Sequence, residues 1–162
     1  MNNGSDTAGV IAPPPLLALA AVVFGLLLDG LFPAYVLAVL LPGGAHRLLG
    51  ALLIAAGLAL AIPAMRAFRR SDTHIEPWKP ATVLVTDGIF RFLCNPMYVG
   101  MVLGIAGIAV LTAGDWMLVM TILLAITLHF GVVKREERYL EAKFGNAYRR
   151  YCDAVPRYGW PG

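Results

Sequence analysis

Charged side chains are scarce in this chain. Asp, Glu, Lys and Arg make up 14% of its 162 residues, against about a quarter in an average soluble domain. So little charge, beside 59% hydrophobic residues, excludes a disordered chain and a nucleic-acid-binding module, both of which need dense charge. Cysteine is nearly absent too. Cys94 and Cys152 stand far apart with no C-x-x-C pair, so neither a disulfide framework nor a zinc site is signalled, and both read as structural or incidental thiols. His46, His74 and His129 fall in different segments without metal-ligand spacing, and no metal site is expected. The chain also lacks G-x-x-x-x-G-K, G-x-S-x-G and a strand-linked G-x-G-x-x-G, which argues against a phosphate loop, a serine elbow and a Rossmann domain. With no internal repeat or low-complexity tract, residues 1–162 read as one domain.

Long apolar runs, by contrast, are plentiful. A helix needs about 20 residues to cross the hydrocarbon core of a bilayer. Spans are expected near residues 11–30, 47–66, 96–112 and 116–134, the first and third opening on prolines, which a first helical turn tolerates. Leu31 to Leu41 is too short to span and reads as a helix tail or an interfacial turn closed by Pro42-Gly43-Gly44. Trp116 suits a membrane-water boundary. The first ten residues hold no Lys or Arg, so the first run lacks the basic start of a cleaved signal peptide and is expected to remain. The fold expected is an all-α polytopic membrane bundle of about four spans.

The few charges are unevenly placed. Of 13 basic residues, five lie between the second and third spans, seven after the fourth, and only Arg47 on the opposite side. Positive loops stay inside, so both termini and the middle loop are expected in the cytoplasm, across a membrane of bacterial inner-membrane type. Past Val133 the chain turns strongly charged while Leu140, Phe144, Ala147, Tyr148 and Tyr151 keep helical spacing. Residues 135–162 are therefore expected to form a cytoplasmic segment with an amphipathic helix, either resting on lipid headgroups or capping a pocket.

Two polar segments gather at that edge. One runs from Thr86 to Gly100. There Asn95 and Tyr98 flank Pro96 at a helix start, either as a cap and a member of an aromatic belt or as pocket residues. The other is Arg135-Glu136-Glu137-Arg138. Neighbouring residues on a helix point about 100° apart, so Glu136 and Glu137 do not form a dyad. They are either a solvated face balanced by Lys134, Arg138 and Lys143 or a pair of which one member reaches a polar ligand. His129, about two turns before Glu136, is either packed in the bundle or lining a cavity.

Together the two segments resemble the isoprenylcysteine carboxyl methyltransferase and phospholipid methyltransferase superfamily of integral membrane enzymes. That superfamily's T-x-G-P-Y-R-x-x-R-[H or N]-P-x-Y-x-G pattern is similar to the stretch from Thr86 to Gly100. Its E-E-x-x-L-x-x-x-F-G-x-x-Y-x-x-Y pattern is similar to Glu136 through Tyr151, followed by Val155-Pro156-Arg157. The resemblance covers roughly the last half of the chain. It implies S-adenosylmethionine as methyl donor, in a cytoplasmic pocket roofed by the C-terminal segment and open sideways to membrane lipids for a lipophilic acceptor. It assigns Asn95, Pro96, Tyr98 and Gly100 to the donor pocket, Glu136 and Glu137 to its polar parts, and Tyr148 with Tyr151 to its closure.

Cys94 stands where the family pattern has Arg, and Phe90 where it has Tyr. Arg91 is then the candidate guanidinium for an acceptor carboxylate. A carboxylate acceptor is already nucleophilic, whereas an amine or thiol must lose a proton first, for which Glu137 or His129 is the candidate base. Isoprenylcysteine-like carboxylate and lipid amine both remain open as acceptors. Two other readings compete: a membrane reductase using NADPH, and a non-enzymatic transporter or assembly protein in which Asp29 and His129 would be the functional polar groups.

Overall fold

The computed structural model describes residues 6–42 and 44–159. Helices α1 (Pro14–Leu31), α3 (Ala45–Arg70), α4 (Pro96–Leu111) and α5 (Asp115–Leu128) form the bundle, and no strand occurs among the described residues. Three helical stretches, Pro14–Leu31, Ala45–Arg70 and Asp115–Phe144, are long and apolar enough to cross a membrane, while Pro96–Leu111 is a shorter apolar helix. Their outer faces expose Leu16, Leu19 and Phe24 on α1, Leu48 and Leu52 on α3, and Ile122 and Ile126 on α5. A surface so apolar needs lipid as solvent.

Because lipid gives helices no hydrophobic reason to associate, close backbone packing must do so. Helices α3 and α4 run antiparallel and meet at small residues: a Cβ on Gly57 would lie 2.6 Å from the Gly100 carbonyl oxygen, and one on Gly100 2.7 Å from that of Gly57. Helix α1 packs on α5. At the end of the bundle holding Arg47, two carboxylates cap helices across the fold. Asp29 accepts the Trp116 and Met117 amides at 2.9 and 3.1 Å. Asp115 in turn accepts those of Val36 and Leu37, at 2.9 and 2.8 Å. That second cap starts the short helix α2 (Val36–Leu40), so the segment after Pro33 is a capped turn of helix. It also makes Asp29 a structural cap, which removes a polar group that the transporter reading needed.

At the other end of the bundle the expected continuity of His129 with Glu136 holds, while the amphipathic segment differs from the single helix expected. Helix α5 runs through a π-helical turn (His129–Val133) into α6 (Lys134–Phe144) without a break. The amphipathic stretch is then split into two helices, because Gly145 adopts φ +54 and ends α6 before α7 (Asn146–Ala154) begins. A left-handed backbone at that point suits glycine. The bend returns α7 to the middle loop, where Tyr151 reaches the Phe90 carbonyl.

Candidate functional site

The middle loop prepares the site. A 3-10 turn (Gly88–Arg91) buries Phe90 against Ala64, Ala67 and Val85, and Phe68 meets the Phe90 ring edge-on with centroids 5.2 Å apart. From α7 the Tyr151 hydroxyl donates to the Phe90 carbonyl at 2.7 Å. Next along the chain, the Cys94 amide donates to the Pro156 carbonyl at 3.0 Å and its thiol to that of Val155 at 3.2 Å. Two segments some sixty residues apart thereby form one roof over a cavity of about 170 Å³.

Asn95 precedes that roof's helix but makes no side-chain cap. Instead its Nδ2 is buried without a partner among the described residues, on the cavity wall. A buried donor left unsatisfied is costly, so the position fits a ligand that supplies an acceptor. Three residues on, the Tyr98 hydroxyl donates to Glu136 Oε2 at 2.8 Å, joining the two sequence segments directly. No cation pairs with Glu136 among the described residues. Its neighbour Glu137 points elsewhere, as helical geometry requires. It is held by Arg157 in a two-pronged pair, Nε to Oε1 at 2.5 Å and Nη2 to Oε2 at 2.9 Å. That hydrogen bonding raises the Arg157 pKa, keeping it firmly cationic.

Of the residues singled out from sequence, Asn95, Pro96, Tyr98, Glu136, Glu137 and Tyr148 line the one cavity. Burial raises the Tyr148 pKa, so it stays a neutral phenol. Three others are elsewhere. Gly100 is committed to packing on α3. Arg91 is exposed, off the cavity wall, and without a hydrogen bond or ion pair among the described residues. His129 shares a 2.7 Å hydrogen bond with the Tyr158 hydroxyl and is also off the wall. Burial, with the neighbouring Cys152 thiol as a lesser cause, pushes the Cys94 thiol up to about 11, so it is no nucleophile at neutral pH.

Sequence reasoning passed over three contributors: Arg157, Tyr139 and the N-terminal segment. Arg157 stood in the quoted Val155-Pro156-Arg157 stretch, but nothing local tied it to Glu137. The Tyr139 hydroxyl receives the Ala81 amide at 3.0 Å and donates to Asp6 Oδ1 at 2.9 Å, linking the middle loop to the N-terminus. No spacing signals contacts of that range.

Fold and site together define an integral membrane helical protein with a polar-headed cavity at the basic end of its bundle. Residues 45–147 match the phospholipid methyltransferase family, and the chain belongs to that family. Comparison with curated proteins returned no match. The matched region begins with α3, earlier than the two polar segments suggest, and contains both the Asn95–Tyr98 and Glu136–Glu137 positions. Membership makes the protein a membrane methyltransferase.

Proposed function

We propose that the protein transfers a methyl group from S-adenosylmethionine to a lipophilic amine presented from the membrane, at the cavity bounded by α4, α6 and α7. The observation that carries this reading is the Tyr98–Glu136 hydrogen bond, which brings both polar segments to one wall beside the unpartnered Asn95 amide. Asn95 Nδ2 would donate to an oxygen of the cofactor. Tyr148, neutral and buried, offers a second polar contact, and Glu136 or Glu137 would face its cationic parts.

When bound, S-adenosylmethionine supplies a methyl group activated by its sulfonium. The chain's own work is to exclude water and hold donor and acceptor in line at about 3 to 3.5 Å. Charge favours an amine over a carboxylate as acceptor. The cavity wall carries Glu76, Glu136 and Glu137 against His74 and Lys79, the latter bound to Glu76 at 2.8 Å. Arg157 is taken by Glu137, and Arg91 lies off the wall. An acceptor carboxylate would meet Glu136, the wall carboxylate without a cation partner among the described residues, whereas an alkylammonium would be drawn to it.

An amine must shed a proton before its lone pair can attack. Glu136 is the carboxylate best placed to take it, because no cation competes for its charge, while Glu137 is neutralised by Arg157. The basic loops support an orientation with this cavity on the cytoplasmic side of a bacterial inner membrane and both termini beside it. Calorimetry with S-adenosylhomocysteine on folded, detergent-solubilised protein tests the reading: binding is expected, and its absence would reject it. Methylation of a carboxylate acceptor in preference to long-chain amines would reject the charge argument alone.

A further inference from the structure

Chain ends ordinarily fray. Here residues 6–11 are instead fastened across the basic end of the bundle. Asp6 accepts hydrogen bonds from the Lys143 ammonium at 2.6 Å and the Tyr139 hydroxyl at 2.9 Å. The Ala8 amide donates to the Pro77 carbonyl at 3.3 Å, and Arg135 donates to the Gly9 carbonyl at 2.9 Å. Further on, the Ile11 amide donates at 3.2 Å to the carbonyl of Gly131, inside the π-helical turn. The Ile11 side chain fills the space above Gly131, where a Cβ would collide with it.

The two sides of this strap differ. Asp6 is on the outside, exposed. Inside, Ala8 is only 9% exposed, Pro14 is buried, and both line the cavity together with Pro15 and Trp78. Pro14 and Pro15 have no amide hydrogen and Ala8 gives its own to Pro77, so the strap side of the cavity offers few donors and suits an alkyl chain better than a headgroup. It is also continuous with the bilayer surface, since Leu16 and Leu19 immediately beyond it on α1 are exposed to lipid.

We infer that the strap is the acceptor-side wall of the cavity, and that Ala8 limits the bulk of the alkyl tail that lies against it and Trp78. The inference rests on the proposed methyltransferase function and adds the part of the acceptor which that function leaves unspecified. Alkyl tail at the strap and amine toward Glu136 would orient the acceptor from one end to the other.

Dodecylamine bearing a terminal diazirine tests the placement by photolabelling in detergent, with adducts located by mass spectrometry. Only saturable adducts, those removed by excess plain dodecylamine, are scored. They are expected within residues 8–15 or on Trp78. Ala8→Trp should cut them about tenfold, the scale of overfilling a packed site; Ala8→Leu should give a smaller loss in the same direction. Saturable adducts confined to other regions of the native protein, or undiminished labelling of folded Ala8→Trp, would overturn the inference. Labelling is read with and without S-adenosylhomocysteine. Failure to bind that cofactor would then refute the proposed use of S-adenosylmethionine, while the adduct map still decides where the alkyl tail lies.

Discussion

Replacing Tyr98 by Phe removes one oxygen and should be felt at Glu136. The hydroxyl is the carboxylate's hydrogen-bond partner at 2.8 Å, and no cation stands in for it among the described residues. A hydrogen bond to a charged group contributes about 1.5 to 3 kcal/mol, which corresponds to roughly 10- to 150-fold in an equilibrium constant. Tyr98→Phe frees Glu136 to rotate away from the cavity, so affinity for S-adenosylhomocysteine should fall by about tenfold or more. Glu136→Gln should lose a similar amount. Because the two side chains share one interaction, the double variant should lose little beyond the worse single one, giving a coupling of about 1.5 kcal/mol or more. Calorimetry on the four proteins, each checked for a monodisperse elution profile, measures the cycle. Additive losses would show that the hydroxyl and carboxylate act separately, and the reasoning about a shared polar wall would fail.

Other expectations follow from packing, capping and thiol chemistry. Gly57→Ala puts a methyl group 2.6 Å from the Gly100 carbonyl oxygen, a backbone atom with no freedom to retreat; a loss of about 1 to 3 kcal/mol should appear as a lowered thermal midpoint in detergent. Asp29→Ala strips two amides at the start of α5 and should cost about 1 kcal/mol in thermal stability, with no effect on cofactor affinity. At pH 8, Cys94 should alkylate about 100-fold more slowly than an ordinary cysteine, because its pKa of about 11 stands two above the usual 9.0. Peptide mapping after timed iodoacetamide treatment reads that ratio, and equal rates would show an accessible, unperturbed thiol.

Much of the bundle is legible in the composition. The apolar runs predict spans near 11–30, 47–66, 96–112 and 116–134, and the helices lie at Pro14–Leu31, Ala45–Arg70, Pro96–Leu111 and Asp115–Leu128. Length and hydropathy carry that information because every backbone group in lipid must be satisfied within its own helix. The helix break at Gly145 is not legible in the same way. Leu140, Phe144, Tyr148 and Tyr151 keep a helical period across it, and a glycine alone does not say that the backbone turns left-handed.

Within the site, the chemistry-bearing residue types were visible and their partners were not. Asn95, Tyr98, Glu136 and Glu137 stand out as polar groups at the mouths of apolar runs, where their desolvation demands explanation. Which of the two glutamates meets Tyr98, and which Arg157, depends on the rotation of α6 relative to α4 and on the returning C-terminal segment. Arg91 and His129 carry equally suggestive chemistry in sequence, yet the fold turns one to solvent and gives the other to Tyr158.

By itself the sequence determined that this is a helical membrane protein with its polar chemistry at one basic edge. Those properties are sums over local choices of solvent, residue by residue. Only the tertiary structure decided that a terminal strap, a middle loop and a returning C-terminal helix line a common cavity there. Such closure rests on hydrogen bonds between residues as distant as Asp6 and Lys143, and those bonds exist only after the helices have packed.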